Sequence, residues 1–244
     1  MIGYTLEDRV AVIEFQRPEA RNALNPELMD GLEAAFDRAE ADEAFVIVLT
    51  GQGTVFSAGA DLRSGAVLDK GFMARVIRFY QRVENMKQIV IAAVNGPAVG
   101  AGVQMAMVAD LRVLDPSATI AIPAAKLGVT IDKWTLRRLV DLVGGGHARS
   151  VLMAAEKLGA EQLAALGFAN RIGDREAALD YARGITKLAP LSLQNYKALF
   201  KNDVAREPLT DADEARLHAV WDSEDLREAL TARFEKREPR FSGR

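Results

Sequence analysis

The sequence predicts an α/β fold that begins as a spiral of β/β/α units and continues as a mainly helical C-terminal part. Two continuous apolar runs, at residues 45–50 and 89–94, have the length of strands and end at loops that contain glycine. Such runs are typical of strands that are covered on both faces. A helical pattern follows each run, at residues 72–86 and 103–108, and from Trp134 onward the pattern is helical almost throughout.

The N-terminal elements are predicted from alternation and from a helix-capping signal. An alternating segment at residues 2–6 is followed by a strand-length segment at residues 10–15, which predicts a hairpin joined across residues 7–9. Asn25 followed by Pro26 begins a helix that ends near residues 41–42. The apolar positions of this helix recur at helical spacing and are Leu28, Leu32, Ala35, Phe36 and Ala39.

The second half of the chain carries shorter strand signals and several helix breaks. Short strands are predicted at residues 111–114, 119–122 and 169–172. The predicted helix breaks are at residues 144–146, 159, 167 and 190. The segment 211–235 has more apolar side chains than a helix standing alone in water, so we expect it to pack on the core or on another subunit. These apolar side chains are Leu217, Val220, Trp221, Leu226, Leu230 and Phe234.

Composition narrows the class of protein. The 244 residues carry 31 Lys and Arg against 34 Asp and Glu, so no basic field favours nucleic acid. The absence of cysteine excludes disulfides, a thiolate nucleophile and cysteine metal sites, and it favours a cytoplasmic location. The N-terminal residues lack the basic and apolar stretches of an export signal, and no apolar run is long enough to predict a membrane span.

Several common catalytic sites are also excluded. The chain has two histidines, His147 and His218, which is too few for a His-rich metal site, and no metal or cofactor is expected. Ser57 lacks the first glycine of a nucleophile elbow. The glycines of residues 96–102 are not in the order of the dinucleotide fingerprint.

Two loops, at residues 56–62 and 95–104, follow the two buried strands and are rich in small residues. Small residues let a backbone approach a ligand closely, and the second loop begins a helix whose first N–H groups have no partner within the helix. Backbone donors that meet there would form an oxyanion site. For either loop alone, tight turns would explain the glycines equally well. Their occurrence after matched strands favours the site.

Motifs spread over nearly the whole chain carry a family resemblance. They are Arg17-Pro18, residues 21–25, 56–62, 95–102 and 110–112, Pro123, Leu127-Gly128, Val143-Gly144 and residues 234–237. In order and spacing they resemble the enoyl-CoA hydratase/isomerase (crotonase) superfamily. The resemblance implies a spiral β/β/α core, a helical trimerisation region, and an acyl-CoA thioester whose carbonyl is bound by two backbone N–H groups.

The resemblance assigns those two N–H groups to Ala60 and Ala101. Family members usually carry glycine at the second position, and a backbone donor tolerates alanine there. Arg21 and Lys236 become candidates for the CoA phosphates, with solvation at the surface as the alternative for both. The other residues that the resemblance places at the acyl-CoA site are Ala23, Leu24, Ala58, Gly59, Asp61, Leu62 and Gly100.

The chain departs from the family at the two residues that position and activate water in the hydratases. Hydratases carry two glutamates that position and activate the water, and the corresponding residues here are Gln104 and Ala124. The isomerases with one glutamate use the second of these positions. Asp132 is the remaining acid, either a catalytic group as in the dehalogenase branch or the N-cap of a helix. Trp134 either lines the acyl tunnel or packs in the core.

The combination of Gln104, Ala124 and the pair Asp132 and Trp134 most resembles a mycobacterial hydratase-like subgroup associated with fatty-acid and mycolic-acid supply. One hypothesis is an acyl-CoA-binding protein without catalysis that works with fatty-acid synthesis enzymes. The other is an enzyme of the lyase family, an active hydratase or isomerase, or a thioester hydrolase that uses Asp132. Residues 1–190 are predicted to hold the CoA and acyl site, and residues 191–244 to form a helical region for packing into a homotrimer or hexamer.

Overall fold

The computed structural model describes residues 1–65, 69–201, 211, 218, 222–237 and 239–240. Its contacts divide the chain into two units. The first unit comprises Met1–Ile120 and Leu158–Asp203, and the second comprises Ala121–Lys157 and Val204–Arg244. The boundary predicted at residue 190 concerned ligand binding and oligomerisation, and it stays a prediction.

A six-stranded sheet forms the centre of the first unit. Its first two strands form the predicted antiparallel hairpin, and the strands that follow pair in parallel. The continuous apolar sequences of the central strands are explained by burial, because every residue of the third and fourth strands is buried. In spatial order the strands are β1 (Ile2–Glu7), β2 (Val10–Phe15), β3 (Val46–Gly51), β4 (Ile89–Val94), β6 (Leu111–Leu114) and β9 (Arg171–Ile172).

A second sheet has the order β5 (Ala98–Val99), β7 (Thr119–Ala121) and β8 (Leu158–Gly159). The predicted strand 119–122 is thus confirmed with one residue fewer. Strand β8 was not predicted, because two residues carry no periodicity and this strand exists only through its pairing with β7.

The helices of the first unit largely match the predicted patterns. Asn25 caps the first helix, and its side chain accepts a hydrogen bond of 2.8 Å from the Leu28 N–H, as expected. The sixth helix of the chain places Ala178, Ala182 and Ile185 against the sheet. The helices are α1 (Pro26–Ala41), α2 (Lys70–Asn85), α3 (Ala101–Val108), α5 (Ala160–Ala165), α6 (Arg175–Ile185) and α7 (Pro190–Lys201).

The second unit contains a 3-10 helix at Ala124–Leu127, α4 (Lys133–Met153) and α8 (Glu224–Phe234). Gly144 interrupts α4 with φ 75° and ψ 154°, within the predicted break at residues 144–146. Gly128 lies against α8, since a Cβ there would be 2.5 Å from the Asp225 carbonyl oxygen.

The structure describes only part of the apolar C-terminal segment predicted at residues 211–235. Leu226 is buried in α8, whereas Phe234 is 68% exposed. Leu217, Val220 and Trp221 lie outside the described residues, so their predicted packing and the predicted oligomer stay predictions. None of the helices in the described ranges combines the length and the apolar composition that are needed to cross a membrane.

Candidate functional site

Three loops leave the carboxyl ends of neighbouring parallel strands in the first unit. We call them the Arg21 loop (residues 16–25, after β2), the Ala60 loop (residues 52–62, after β3) and the Ala101 loop (residues 95–101, after β4). Because β2, β3 and β4 run in parallel, the three loops lie at the same edge of the sheet. In open α/β sheets this edge is the usual place for a ligand.

The Ala60 loop is hydrogen-bonded to the Arg21 loop as if the two were short strands. The Leu24 N–H donates to the Gly59 carbonyl at 2.7 Å, and the Asp61 N–H donates to the Leu24 carbonyl at 2.8 Å. In such a parallel bridge the residue opposite Leu24, which is Ala60, directs its own N–H to the other side. Among the described residues the Ala60 N–H has no protein acceptor.

Two buried polar side chains reinforce this pairing. The Ser57 hydroxyl donates to the Asn22 carbonyl at 2.8 Å and accepts from the Gly59 N–H at 3.2 Å. The Asn22 amide donates to the carbonyls of Gln52 and Val55 at 3.0 and 2.8 Å. Ser57 is therefore a structural loop residue, in agreement with its missing nucleophile-elbow glycine. No local pattern of residues around Asn22 predicted this role.

Glycines let the Ala60 loop pack directly on the Ala101 loop. A Cβ on Gly59, where φ is 85°, would lie 2.5 Å from the Val99 carbonyl oxygen and 3.1 Å from the Ala101 nitrogen. A Cβ on Gly102 would overlap the Ser57 carbonyl oxygen. These contacts are the close backbone approach that the small residues of both loops predicted.

The Ala101 N–H lies at the first position of α3, behind Gly100. Gly100 has φ 53° and ψ −118°, a conformation that favours glycine, and its carbonyl accepts from the N–H groups of Val103 and Gln104. Within the part of the chain that the structure describes, the Ala101 N–H donates to no protein group. Unpaired N–H groups from adjoining loops, one of them at the positive end of a helix, are suited to binding a carbonyl oxygen that gains negative charge.

Gln104 is buried on α3 next to a tyrosine that sequence reasoning missed. The Tyr80 hydroxyl, on α2, lies 3.3 Å from the Gln104 Oε1 atom and 3.4 Å from the Ala101 carbonyl oxygen. Gln104 and Tyr80 are 7% and 3% exposed. Tyrosine at a core position of a helix looks like ordinary packing in the sequence, so only the fold reveals this contact.

Asp61 forms an ion pair with Arg17 beside the unpaired Ala60 N–H. The Arg17 Nη1 atom lies 2.7 Å from the Asp61 Oδ2 atom and 3.1 Å from the Ala23 carbonyl oxygen. Burial by itself would raise the pKa of Asp61, but the hydrogen bonds from Arg17 and from backbone N–H groups, with the Arg17 charge, lower it overall. Asp61 was predicted only as a ligand contact, and Arg17 was not assigned a role.

The sequence model of the enoyl-CoA hydratase/isomerase family matches residues 5–244. This chain belongs to the enoyl-CoA hydratase/isomerase family. A Mycobacterium tuberculosis protein named "Probable enoyl-CoA hydratase echA6" is 45% identical over 243 residues, with 100% of both chains covered. The Escherichia coli 2,3-dehydroadipyl-CoA hydratase is 31% identical over 247 residues, with 98% of this chain and 97% of the relative covered.

Solved structures agree with this assignment. Methylmalonyl-CoA decarboxylase in complex with 2-nitronate-propionyl-CoA matches with a TM-score of 0.91 and 25% identity, covering 100% of this chain and 98% of the other. The predicted membership of the crotonase superfamily and the predicted α/β crotonase fold are therefore confirmed.

The other residues of the first unit that the family resemblance places at the acyl-CoA site differ in exposure. Arg21 is exposed at the surface with φ 53°, and its carbonyl accepts from the Ala58 N–H at 2.9 Å. Leu24 is fully buried and Ala23 nearly so, which leaves their side chains in the core. Leu62 is half-buried. The ligand contacts that the family resemblance assigns to these residues stay predictions.

The second unit contains the other residues to which the family resemblance assigns a role. Ala124 is the half-buried first residue of its 3-10 helix, Trp134 is half-buried in the first turn of α4, and Lys236 is exposed with φ 56°. Asp132 is the N-cap of α4, since its carboxylate accepts from the Thr135 N–H at 2.9 Å and from the Thr135 hydroxyl at 2.6 Å. The capping role predicted as one alternative for Asp132 is thus confirmed.

Proposed function

We propose that this family member binds fatty acyl-CoA and holds the thioester carbonyl at the Ala60 and Ala101 N–H groups without hydrating it. The observation that carries the proposal is a pair of backbone N–H donors in adjoining loops, beside a buried glutamine, that have no protein acceptor among the described residues. The acyl-CoA analogue in the similar decarboxylase structure supports the ligand class. The family resemblance further supports a homotrimer or hexamer and cooperation with fatty-acid synthesis enzymes.

The proposed lack of hydration rests on proton chemistry. Adding water across the double bond requires a group that takes a proton from water, and a glutamine side chain is no base at neutral pH. Gln104 retains hydrogen bonding, which orients a ligand or a water molecule but does not activate it. Ala124 offers no polar side-chain atom. Neither of the two positions that hold a glutamate in the hydratases therefore carries an acid in this chain.

The alternative function, turnover that uses Asp132, is weakened by the contacts of that residue. Both carboxylate oxygens of Asp132 accept hydrogen bonds from Thr135. These hydrogen bonds assign the Asp132 carboxylate to capping α4. A panel of saturated acyl-CoA thioesters, followed by calorimetry and by release of free CoA, distinguishes holding from turnover. Binding with no thioester loss supports the proposal, and steady CoA release contradicts it.

Trp134→Ala is expected to weaken binding of long acyl chains by more than tenfold, or about 1.4 kcal/mol. An aromatic side chain covering an alkyl chain contributes roughly 25 cal/mol per Å² of buried area. Short acyl groups, which do not reach the indole, should lose less affinity, and the control Trp134→Phe should lose less for both. Titration calorimetry with one short and one long acyl-CoA measures the difference.

Asp132→Asn serves as the companion variant. Asparagine is a good N-cap and keeps an acceptor for the Thr135 N–H, so we expect nearly unchanged affinity. If Asp132→Asn abolishes a measurable turnover while Trp134→Ala binds like the wild type, the chain is an enzyme and the holding site is refuted.

A further inference from the structure

We propose that Arg17 is a positioning residue for the acyl thioester, because its guanidinium fixes the segment that presents the Ala60 N–H. The inference rests on the proposed binding of acyl-CoA. It assigns a role in ligand binding to a side chain that need not contact the ligand.

The geometry of Arg17 joins two loops through one nitrogen atom. Arg17 Nη1 donates to the Asp61 carboxylate at 2.7 Å and to the Ala23 carbonyl at 3.1 Å. The Arg17 and Asp61 side chains are 19% and 9% exposed, so water screens this pair less than it screens a surface ion pair. The Arg17 backbone N–H also donates to the Asn22 side chain at 3.0 Å. The guanidinium is thus anchored in the Arg21 loop and reaches into the Ala60 loop.

Ala60 is held through both of its neighbours. On one side the Gly59 carbonyl accepts from Leu24, and on the other side the Asp61 N–H donates to Leu24. The Asp61 carboxylate adds a second attachment, since it accepts from Arg17 and, at 2.9 Å, from the Arg63 N–H. With both neighbours fixed, the direction of the Ala60 N–H is fixed as well. A donor contributes most to binding a developing charge when it needs no reorientation.

The experiment compares Arg17→Met, which keeps an aliphatic side chain but removes the donors, with Arg17→Lys, which keeps the charge. Arg75→Met is the matched control, since Arg75 is also partly buried in the first unit but pairs with Asp30 and Glu33 on α1. Two readouts are used. One is the infrared carbonyl stretch of a bound ¹³C-labelled saturated acyl-CoA, and the other is the ratio of the Kd values for acyl-CoA and for free CoA.

For the wild type we expect the thioester stretch to move to lower frequency on binding, as hydrogen bonds to the carbonyl require. Arg17→Met should lose much of this shift, and its acyl-CoA Kd should rise about tenfold while its CoA Kd stays within about twofold, since CoA has no thioester carbonyl. Arg17→Lys should keep most of the shift. Arg75→Met should match the wild type in both readouts.

The outcomes separate the inference from the proposed function. If Arg17→Met lowers the Tm but leaves the carbonyl shift and the Kd ratio unchanged, Arg17 is only structural and the inference fails. If the wild type binds acyl-CoA without any carbonyl shift, or does not bind it, the proposed function fails first. Should Arg17→Met not fold, Asp61→Asn is measured instead. It leaves one acceptor for the two donors of Arg17 and Arg63, so it must reduce the shift in the same direction or overturn the inference.

Discussion

Replacing Gln104 and Ala124 together by glutamate is expected to raise the rate of crotonyl-CoA hydration well above that of the natural chain. Each group that transfers a proton in a transition state contributes on the order of 10²–10⁴-fold, so the pair should raise the rate by at least about 100-fold. A glutamate at position 104 would be buried like Gln104, and burial raises a carboxyl pKa toward the neutral range in which a general base works well. Loss of the enoyl absorbance of crotonyl-CoA measures the rate.

The control variants separate the contribution of the carboxylates from that of shape. Gln104→Ala removes the amide without adding an acid, so its rate of hydration should not exceed that of the wild type. Each single glutamate should give a smaller gain than the double variant, because the hydratases that the chain resembles use two glutamates to position and activate the water. A wild-type rate typical of hydratases would show that another acid acts in this chain. No gain in a double variant that still binds acyl-CoA would show that the two positions do not correspond to the family glutamates.

Gly102→Ala is expected to lower the free energy of unfolding by about 3 kcal/mol, at the upper end of the cost of overpacking. The added Cβ would overlap the Ser57 carbonyl oxygen and lie 2.9 Å from the Ser57 Cβ. A backbone atom cannot move away as the end of a flexible side chain does. The Ala60 loop would have to separate from the Ala101 loop, so acyl-CoA binding should fall as well. Denaturant unfolding followed by circular dichroism measures the change in stability.

Gly184→Ala is the matched control, because it also places alanine in a helix of the first unit. Apart from its chain neighbours and the nearby backbone of α6, no heavy atom of the described residues lies within 4 Å of the new Cβ. Alanine is a better helix former than glycine by about 1 kcal/mol, so this variant should be as stable as the wild type or more stable. Equal losses in both variants would refute the close approach of the Ala60 loop to α3 at Gly102.

Local sequence patterns predicted most of the secondary structure. The apolar runs that became β3 and β4, the Asn25 cap of α1 and the break at Gly144 depend on residues near one another in the chain. Deviations were small: the strand predicted at 45–50 is Val46–Gly51, and the helix predicted from residue 103 begins at Ala101. The motif order also identified the family, because it requires only residue types at fixed spacings.

By itself, then, the sequence determined the fold class, the family and the two loops that carry the candidate donors, since each is written in residue type and local spacing. The tertiary structure alone decided which groups fix those donors. Arg17 and Asp61 are 44 residues apart, Ser57 and Asn22 are 35 apart, and Tyr80 and Gln104 are 24 apart. Such contacts have no period in the sequence. They arise because parallel strands bring distant loops to one edge of the sheet, where buried polar groups must find partners.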